Sequence, residues 1–219
     1  MLFRDRTDAG EQLAVALGRF KGKTCIVLAL PRGGVPVAAP VAAALRAPLE
    51  LVLVRKVGAP DYPEFAIGAV VDGGAPVIVR NDREMKLLGV SEEAFEAICR
   101  RELAEIERRR SLYLKGRSAV SPTGRVAIVI DDGIATGATT RAALQAVRKR
   151  RPKKLVLAVP VASRDSLADL RQEADEIVCL ASPEPFRAVG HFYDDFDQVS
   201  DKEVQSILSS AAAQVVTED

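Results

Sequence analysis

The stretch RVAIVIDDGIATGATT, Arg125 to Thr140, constrains this chain more than any other. Val126 to Ile130 is apolar at every position and too short for a helix, which suits a parallel strand buried on both faces. Two carboxylates, Asp131 and Asp132, follow at its C-terminal end, and a helical stretch is expected over Arg141 to Arg151. Between them lie Gly133, Ile134, Ala135, Thr136, Gly137, Ala138, Thr139 and Thr140. A loop of small and hydroxyl residues at a helix N-terminus offers amides and the positive dipole end to an anion, so this is a candidate phosphate cradle. The adjacent carboxylates suit hydroxyl groups or a metal ion. A single ligand uses both halves if it is a sugar phosphate, its hydroxyls on the acids and its phosphate in the loop.

The same grammar occurs earlier. Thr24 to Leu30 is a second fully apolar strand, and it ends in Pro31, Arg32, Gly33 and Gly34 before a helix expected from Val35 to Arg46. A Gly-Gly turn lets backbone approach a ligand closely, and Arg32 adds a fixed positive charge. Leu49 to Val54 reads as a third strand that delivers Arg55 and Lys56 at its end. In an open α/β sheet the C-terminal strand ends line the ligand crevice, which opens where the strand order reverses. If the strands Thr24–Leu30 and Val126–Ile130 are neighbours there, the two turns face each other.

The remaining pattern supports an α/β chain of one domain spanning residues 1–219, long enough for one substantial core. A first helix, capped by Thr7, is expected to reach about Phe20. From Val57 to about Val79, prolines and glycines surround two short apolar runs, Phe65 to Val71 and Pro76 to Val79, split by Asp72, Gly73 and Gly74. This reads as a loop and a hairpin, one arm of which is placed antiparallel on the sheet edge. Ser91 opens a long helix, expected to Lys115, with acid in its first turn and base in its last. Residues 57–120 are therefore an insertion of loop, hairpin and helical arm. Leu155–Val161, Asp165–Glu173 and Glu176–Ala181 read as strand, helix and strand, and residues 182–219 as a C-terminal hood or latch with a closing helix from Asp201 to Ala213. Four aromatics, Phe186, Phe192, Tyr193 and Phe196, fall in this tail of a chain that is 5% aromatic. They suit either a hood over a ligand or a latch that docks the last helix.

Charge excludes little and motif absence excludes more. With 31 basic and 30 acidic residues, no global field calls for nucleic acid or a membrane surface. No apolar run approaches the roughly 20 residues of a spanning helix, and MLFRDRTDAG lacks a signal-peptide core, so a cytoplasmic location is expected. Cys25, Cys99 and Cys179 are scattered and odd in number, which suits small core residues and no zinc site. A single histidine, His191, excludes mechanisms that need two. Neither the P-loop pattern nor the G-x-S-x-G elbow occurs.

The stretch Val126 to Thr139 resembles the signature of the type I phosphoribosyltransferases, in which apolar residues, two acids and a T-G-x-T loop bind the ribose and 5-phosphate of phosphoribosyl pyrophosphate (PRPP). The resemblance implies a three-layer α/β/α fold with a mostly parallel twisted sheet, one antiparallel edge strand, the inserted arm and a small hood. It implies transfer of the phosphoribosyl group to a nucleobase-like acceptor with release of pyrophosphate, dependent on Mg2+ held at Asp131 and Asp132. Asp131 and Asp132 would hold the ribose hydroxyls, Gly133 to Thr140 the 5-phosphate, and Pro31 to Gly34 the pyrophosphate, with Arg55 and Lys56 as further candidates. The family's lid corresponds to the loop after Val57, and Glu64 matches the lid glutamate of adenine enzymes; a solvated surface carboxylate is the alternative.

Hypoxanthine-guanine enzymes carry an aspartate where this chain has Ala135, so the resemblance favours an amino-substituted or non-purine acceptor and names no base. The rival expectation is a PRPP-sensing regulator that binds RNA or DNA through Arg108–Arg110 or RKRRPKK, Arg148–Lys154; a sugar-phosphate binder of metabolic repair type is a third. Balanced charge and the lack of a helix-turn-helix argue against nucleic acid as a partner. PRPP and a small base are the partners implied, and a homodimer is left open.

Overall fold

The computed structural model describes residues 2–63, 65–72, 76–114 and 120–216. Helix α1, Arg6–Ala16, is capped by Asp5, whose side chain accepts from the Asp8 amide; a 3-10 turn, Gly18–Phe20, follows. The cap is therefore Asp5 and not Thr7, because Asp5 has the extended backbone and the carboxylate that a first turn needs. Strand β1 is Cys25–Ala29, helix α2 Gly34–Leu45 and strand β2 Leu49–Leu51. Next come β3 (Val54–Gly58), β4 (Ala66–Val71), β5 (Val77–Arg80), α3 (Asp82–Leu87) and α4 (Glu92–Tyr113). The second half contributes β6 (Val126–Ile130), α5 (Ala138–Lys149), β7 (Lys154–Val161), α6 (Arg164–Leu170), β8 (Glu176–Ala181) and α7 (Asp201–Val216).

Five strands form a parallel sheet in the order β2-β1-β6-β7-β8. The chain runs outward from β1 to β2 and later returns to β6 on the other side of β1, so the order reverses between β1 and β6. These two strands pair from Cys25 opposite Val126 to Ala29 opposite Ile130, as neighbours across the switch point. Both are wholly buried, and their residues alternate between two cores. Val27, Ala29, Ile128 and Ile130 join the apolar faces of α1, α2 and α7, whereas Ile26, Leu28, Ala127 and Val129 meet α5. Each such buried aliphatic side chain contributes about 1.5–3 kcal/mol. That alternation is why both strands are apolar at every position.

The antiparallel component is larger than a single edge strand. Leu49 to Val54 divides after Leu51, and the chain leaves the first sheet to build a second, three-stranded antiparallel sheet in the order β3-β4-β5. Packing decided this, since the new sheet buries one side with α4 and the other with α5. Arg55 and Lys56 consequently lie within β3 and not at the end of a central strand. The expected β4–β5 hairpin is present, while its Gly73–Gly74 turn lies outside the described residues. Ser91 caps α4 by accepting from the Ala94 amide, as its place in the sequence predicts. α3 was not expected; its six residues bury Met85 and begin at an Asn81 cap.

Candidate functional site

The β1 and β6 ends place their two turns in contact. A Cβ built on Gly33 would fall 2.0 Å from Oδ2 of Asp132, and one on Gly34 would fall 2.7 Å from the Ile130 carbonyl and 3.1 Å from Cα of Asp131. The double glycine is therefore what lets the Pro31–Gly34 turn lie directly on the acidic pair. Gly34 donates its amide to Leu30, and Leu30 donates to Ile130, so the turn is also hydrogen-bonded into the sheet. The Pro31–Arg32 peptide is cis. Arg32 is one-third exposed and lies 3.7 Å from Asp201 at the start of α7.

Asp131 and Asp132 are partly buried, and the Asp131 carboxylate accepts from the Asp132 amide at 3.0 Å. Burial pushes the Asp131 carboxyl well above the usual carboxylate range, and the neighbouring Asp132 adds to the rise. Burial raises Asp132 as well, but a hydrogen bond from Arg6 pulls it back. Arg6 was not singled out from the sequence. It donates from Nε to Oδ2 of Asp132 at 2.8 Å and from a terminal nitrogen to the Asp197 carbonyl at 2.8 Å. Its guanidinium also stacks 3.8 Å from the centroid of Phe196. A lone arginine at the start of a first helix carries no sequence signal that it will meet an acid 126 residues away.

The loop after the acids is stapled on its far side. Ile134 is buried, forms a bridge with Ala162 and gives its amide to Val161. The Ala135 carbonyl accepts from the hydroxyls of Ser163 at 2.9 Å and Ser166 at 2.7 Å, both from α6 and its cap. Gly137 takes a left-handed conformation, φ +73°, that glycine tolerates, and it caps α5. Helix α5 thus begins at Ala138, three residues before the expected start, so Ala138, Thr139 and Thr140 form its first turn. Amides of a first helical turn have no intrahelical acceptor, and Ala135, Thr136, Ala138 and Thr139 are exposed. Thr140 is buried. The cradle is therefore open over most of the sequence-derived residues, while the amides of Ile134 and Gly34 already serve the fold.

The aromatic tail closes one side of this region. Tyr193 is buried and donates its hydroxyl to the Asp132 carbonyl at 2.6 Å; burial and the acidic pair raise its phenol pKa. Phe3 and Phe196 pack on the Tyr193 ring at 5.3 and 5.0 Å. Val189 covers Gly133, where an added Cβ would lie 2.4 Å from its methyl group. The aromatics therefore join the N-terminal segment to the acidic turn, clustering with Phe3 and Ala9 and not with the last helix, and backbone bonds from Leu2 and Phe3 to Phe192 complete the join.

Arg55 and Lys56 belong to another place. Arg55 donates to the buried Glu102 of α4 at 2.8 Å, and Arg101 holds the other oxygen. With Lys56, Gly58, Pro60 and Ile98 they line a cavity of about 560 Å³ between the second sheet and the arm. Glu64 lies outside the described residues. Among its described neighbours, the Tyr62 amide donates to Ala59 and the Ala59 amide to Phe65. The Arg108–Arg110 run is matched by acids, Arg108 and Arg109 by Glu105 and Arg110 by Glu107, while in the Arg148–Lys154 run Arg148 pairs with Asp175 and Lys154 with Glu176. Arg108 and Arg109 hold the Glu105 carboxyl down at about 2. Cys25 and Cys99 are buried core residues and Cys179 is half-buried.

The donor chemistry fits Mg2+. Among the described residues no group of three or more His, Cys, Asp or Glu forms a cage. Mg2+ ordinarily needs none, since it binds through one or two carboxylates with substrate oxygens and water. Asp131 and Asp132 are such a pair, and the buried negative charge they share gains from a cation.

No helix among the described residues is long and apolar enough to cross a membrane. Comparison with known proteins agrees with the signature. The family model described as phosphoribosyl transferase domain matches residues 8–196. Two Mycobacterium tuberculosis proteins, each named "Putative phosphoribosyl transferase", are 47% identical over 210 residues, covering 96% of this chain. The chain spans 47% of the length of these curated relatives. A Thermus thermophilus protein of known crystal structure is 42% identical, with 96% of this chain and 99% of that one covered and a TM-score of 0.83. On the family match and these identities, the chain belongs to the phosphoribosyl transferase domain family.

Proposed function

We propose that this chain transfers the 5-phosphoribosyl group of PRPP to a small nucleobase-like acceptor, releasing pyrophosphate. The observation that carries the proposal is the contact between the Pro31–Gly34 turn and the acidic pair, with the amide-rich loop on the other flank. A pyrophosphate at the first turn and a 5-phosphate at the second bracket a ribose over Asp131 and Asp132, which is the shape of PRPP. Asp131 and Asp132 accept from the ribose hydroxyls. The Ala135–Thr140 backbone and hydroxyls hold the 5-phosphate, and Arg32 with the Gly33 amide meets the pyrophosphate. Arg55 and Lys56 lie on the second sheet and are left out of this arrangement. Mg2+, when bound at Asp131 and Asp132, supplies charge for the departing pyrophosphate. Displacement at the anomeric carbon passes through an oxocarbenium-like centre, so positioning and charge matching carry the catalysis and no covalent nucleophile is required.

Ala135 stands where 6-oxopurine enzymes have an aspartate, which favours an amino-substituted or non-purine acceptor. The ion pairing of Arg108–Arg110 and the balanced net charge give no support to a nucleic-acid-binding regulator. The reading is tested by a magnesium-dependent pyrophosphate-release screen with PRPP over purines, pyrimidines and pyridine carboxylates. In parallel, Asp131→Asn with Asp132→Asn should leave the fold intact and cost PRPP binding more than about a hundredfold. Two charge-assisted contacts of about 1.5–3 kcal/mol each underlie that figure. Unchanged PRPP affinity in the double variant overturns the reading.

A further inference from the structure

Asp132 is gripped at four places. Arg6 holds Oδ2, the Gly33 backbone lies close against the carboxylate, Tyr193 donates to its carbonyl, and its own amide donates to Asp131. Oδ1 of Asp132 accepts no hydrogen bond among the described residues, and it lies 3.1 Å from a Cβ built on Gly33. Arg6 is itself fixed by three contacts, to Asp132, to the Asp197 carbonyl and to the face of Phe196. Its side chain is 11% exposed, against 75% for Arg4 one turn-edge away, which pairs with Asp8 at the surface. An ordinary helix-start arginine resembles Arg4. A guanidinium preorganised on an aromatic face and a carbonyl loses little further freedom when it orients a carboxylate.

We propose that Arg6 is a positioning residue of the sugar-phosphate site: it fixes the Asp132 carboxylate so that one oxygen is locked against the Pro31–Gly34 turn and the other faces the ligand's hydroxyls. The proposal rests on the functional reading above. The physical content is specific. Without Arg6, Oδ2 loses its donor at 2.8 Å, the carboxylate is free to rotate about its Cβ–Cγ bond, and two neighbouring carboxylates lose their nearest protein cation. A hydroxyl pair on vicinal carbons needs both acids at fixed spacing, whereas pyrophosphate without Mg2+ meets Arg32 and the Gly33 amide of the Pro31–Gly34 turn and neither acid. Phe196 and Asp197 enter as the supports of Arg6, which gives the aromatic tail a part in ligand geometry beyond docking.

The test measures binding of PRPP and ribose 5-phosphate with Mg2+, and of inorganic pyrophosphate without it, by titration calorimetry on the full chain. The variants are Arg6→Gln, Arg6→Lys and, as control, Arg4→Gln. Arg6→Gln is expected to weaken PRPP and ribose 5-phosphate by roughly tenfold to a hundredfold, as small misplacements in preorganised sites do, with pyrophosphate within about twofold. Arg6→Lys, which keeps the charge and lacks the planar fork, should recover part of the sugar affinity, and Arg4→Gln should match the wild type. Should Arg6→Gln fail to fold, Arg6→Lys alone decides: a selective loss of sugar affinity supports the proposal, and wild-type affinity overturns it. Equal losses for sugar and pyrophosphate, or none for either, reduce Arg6 to a structural ion pair and overturn it too. A wild-type protein that binds neither PRPP nor ribose 5-phosphate instead defeats the functional reading, and the Arg6 role falls with it.

Discussion

Two arginine–carboxylate pairs sit at the two places where the sequence brings charge to the end of an apolar run, and they behave differently. At the switch point, Arg6 meets Asp132, an acid that borders a second acid, an amide-rich loop and a glycine turn. On the second sheet, Arg55 meets Glu102, a buried acid that, among the described residues, it shares with Arg101 on the same helix. The first pair closes one side of an open arrangement of donors and acceptors. The second neutralises a carboxylate that α4 buries against β3, which is a packing task. A charge therefore gains a ligand-facing role from where its strand ends. β6 stops at the reversal of strand order, and β3 never enters that sheet.

The comparison breaks most readily at Gly33. Replacing it with alanine places a methyl carbon 2.0 Å from Oδ2 of Asp132, so the carboxylate or the turn must shift. Overpacking of that kind costs about 1–3 kcal/mol of stability. It should also displace the Asp132 oxygen and reduce PRPP affinity by more than tenfold on the order of the misplacement effects known for aligned sites. Urea denaturation and calorimetry on the same variant separate the two losses. Retained affinity would show that the contact between the turns is incidental.

A second, smaller effect concerns stability and pH. Folding raises the Asp131 carboxyl above its unfolded value, chiefly by burial, so the folded state binds that proton more tightly. The stabilisation this gives is complete below the unfolded pKa and is lost as the pH climbs through the folded one. At neutral pH the ionised pair is a cost to the fold. Asp131→Asn alone should then be as stable as the wild type or more so, with the difference widening as the pH rises above the unfolded carboxylate range in parallel denaturation curves. A variant less stable at pH 8 than at pH 5, relative to wild type, contradicts the cost.

The smallest effect is expected at the other pair. Arg55→Gln leaves Glu102 with Arg101, and Arg55 is one-third exposed, so solvent screening limits the loss to about 1 kcal/mol or less. PRPP affinity should change by less than about threefold, which is under ~1 kcal/mol. A large loss of affinity would bring the second sheet into the site and erase the contrast.

Much of the site was legible because its elements are short and locally encoded. A five-residue apolar run, two acids and a Gly/Thr loop state a buried strand, its end and an anion-binding turn within sixteen residues, and the structure places β6 on the expected bounds. The Pro31–Gly34 turn was legible for the same reason. The helix after the acidic loop begins earlier than its apolar pattern suggests, since Gly137 caps it and the threonines, poor markers of a helix interior, form its first turn. The split of Leu49–Val54 into two sheets was not legible. An apolar run continuous in sequence gives no sign of which residue leaves one sheet for another.

By itself the sequence determined the two buried central strands, the acids and the glycine turns at their ends, and the long capped helix, because hydrophobic periodicity and turn chemistry act over a few residues. Tertiary structure alone decided that Arg6, Phe196 and Tyr193 would converge on Asp132, and that Arg55 would be spent on Glu102. Those pairings join residues separated by 47 to 190 positions. Their geometry follows from how helices and tail pack on the sheet, and no local pattern of residue types carries that information.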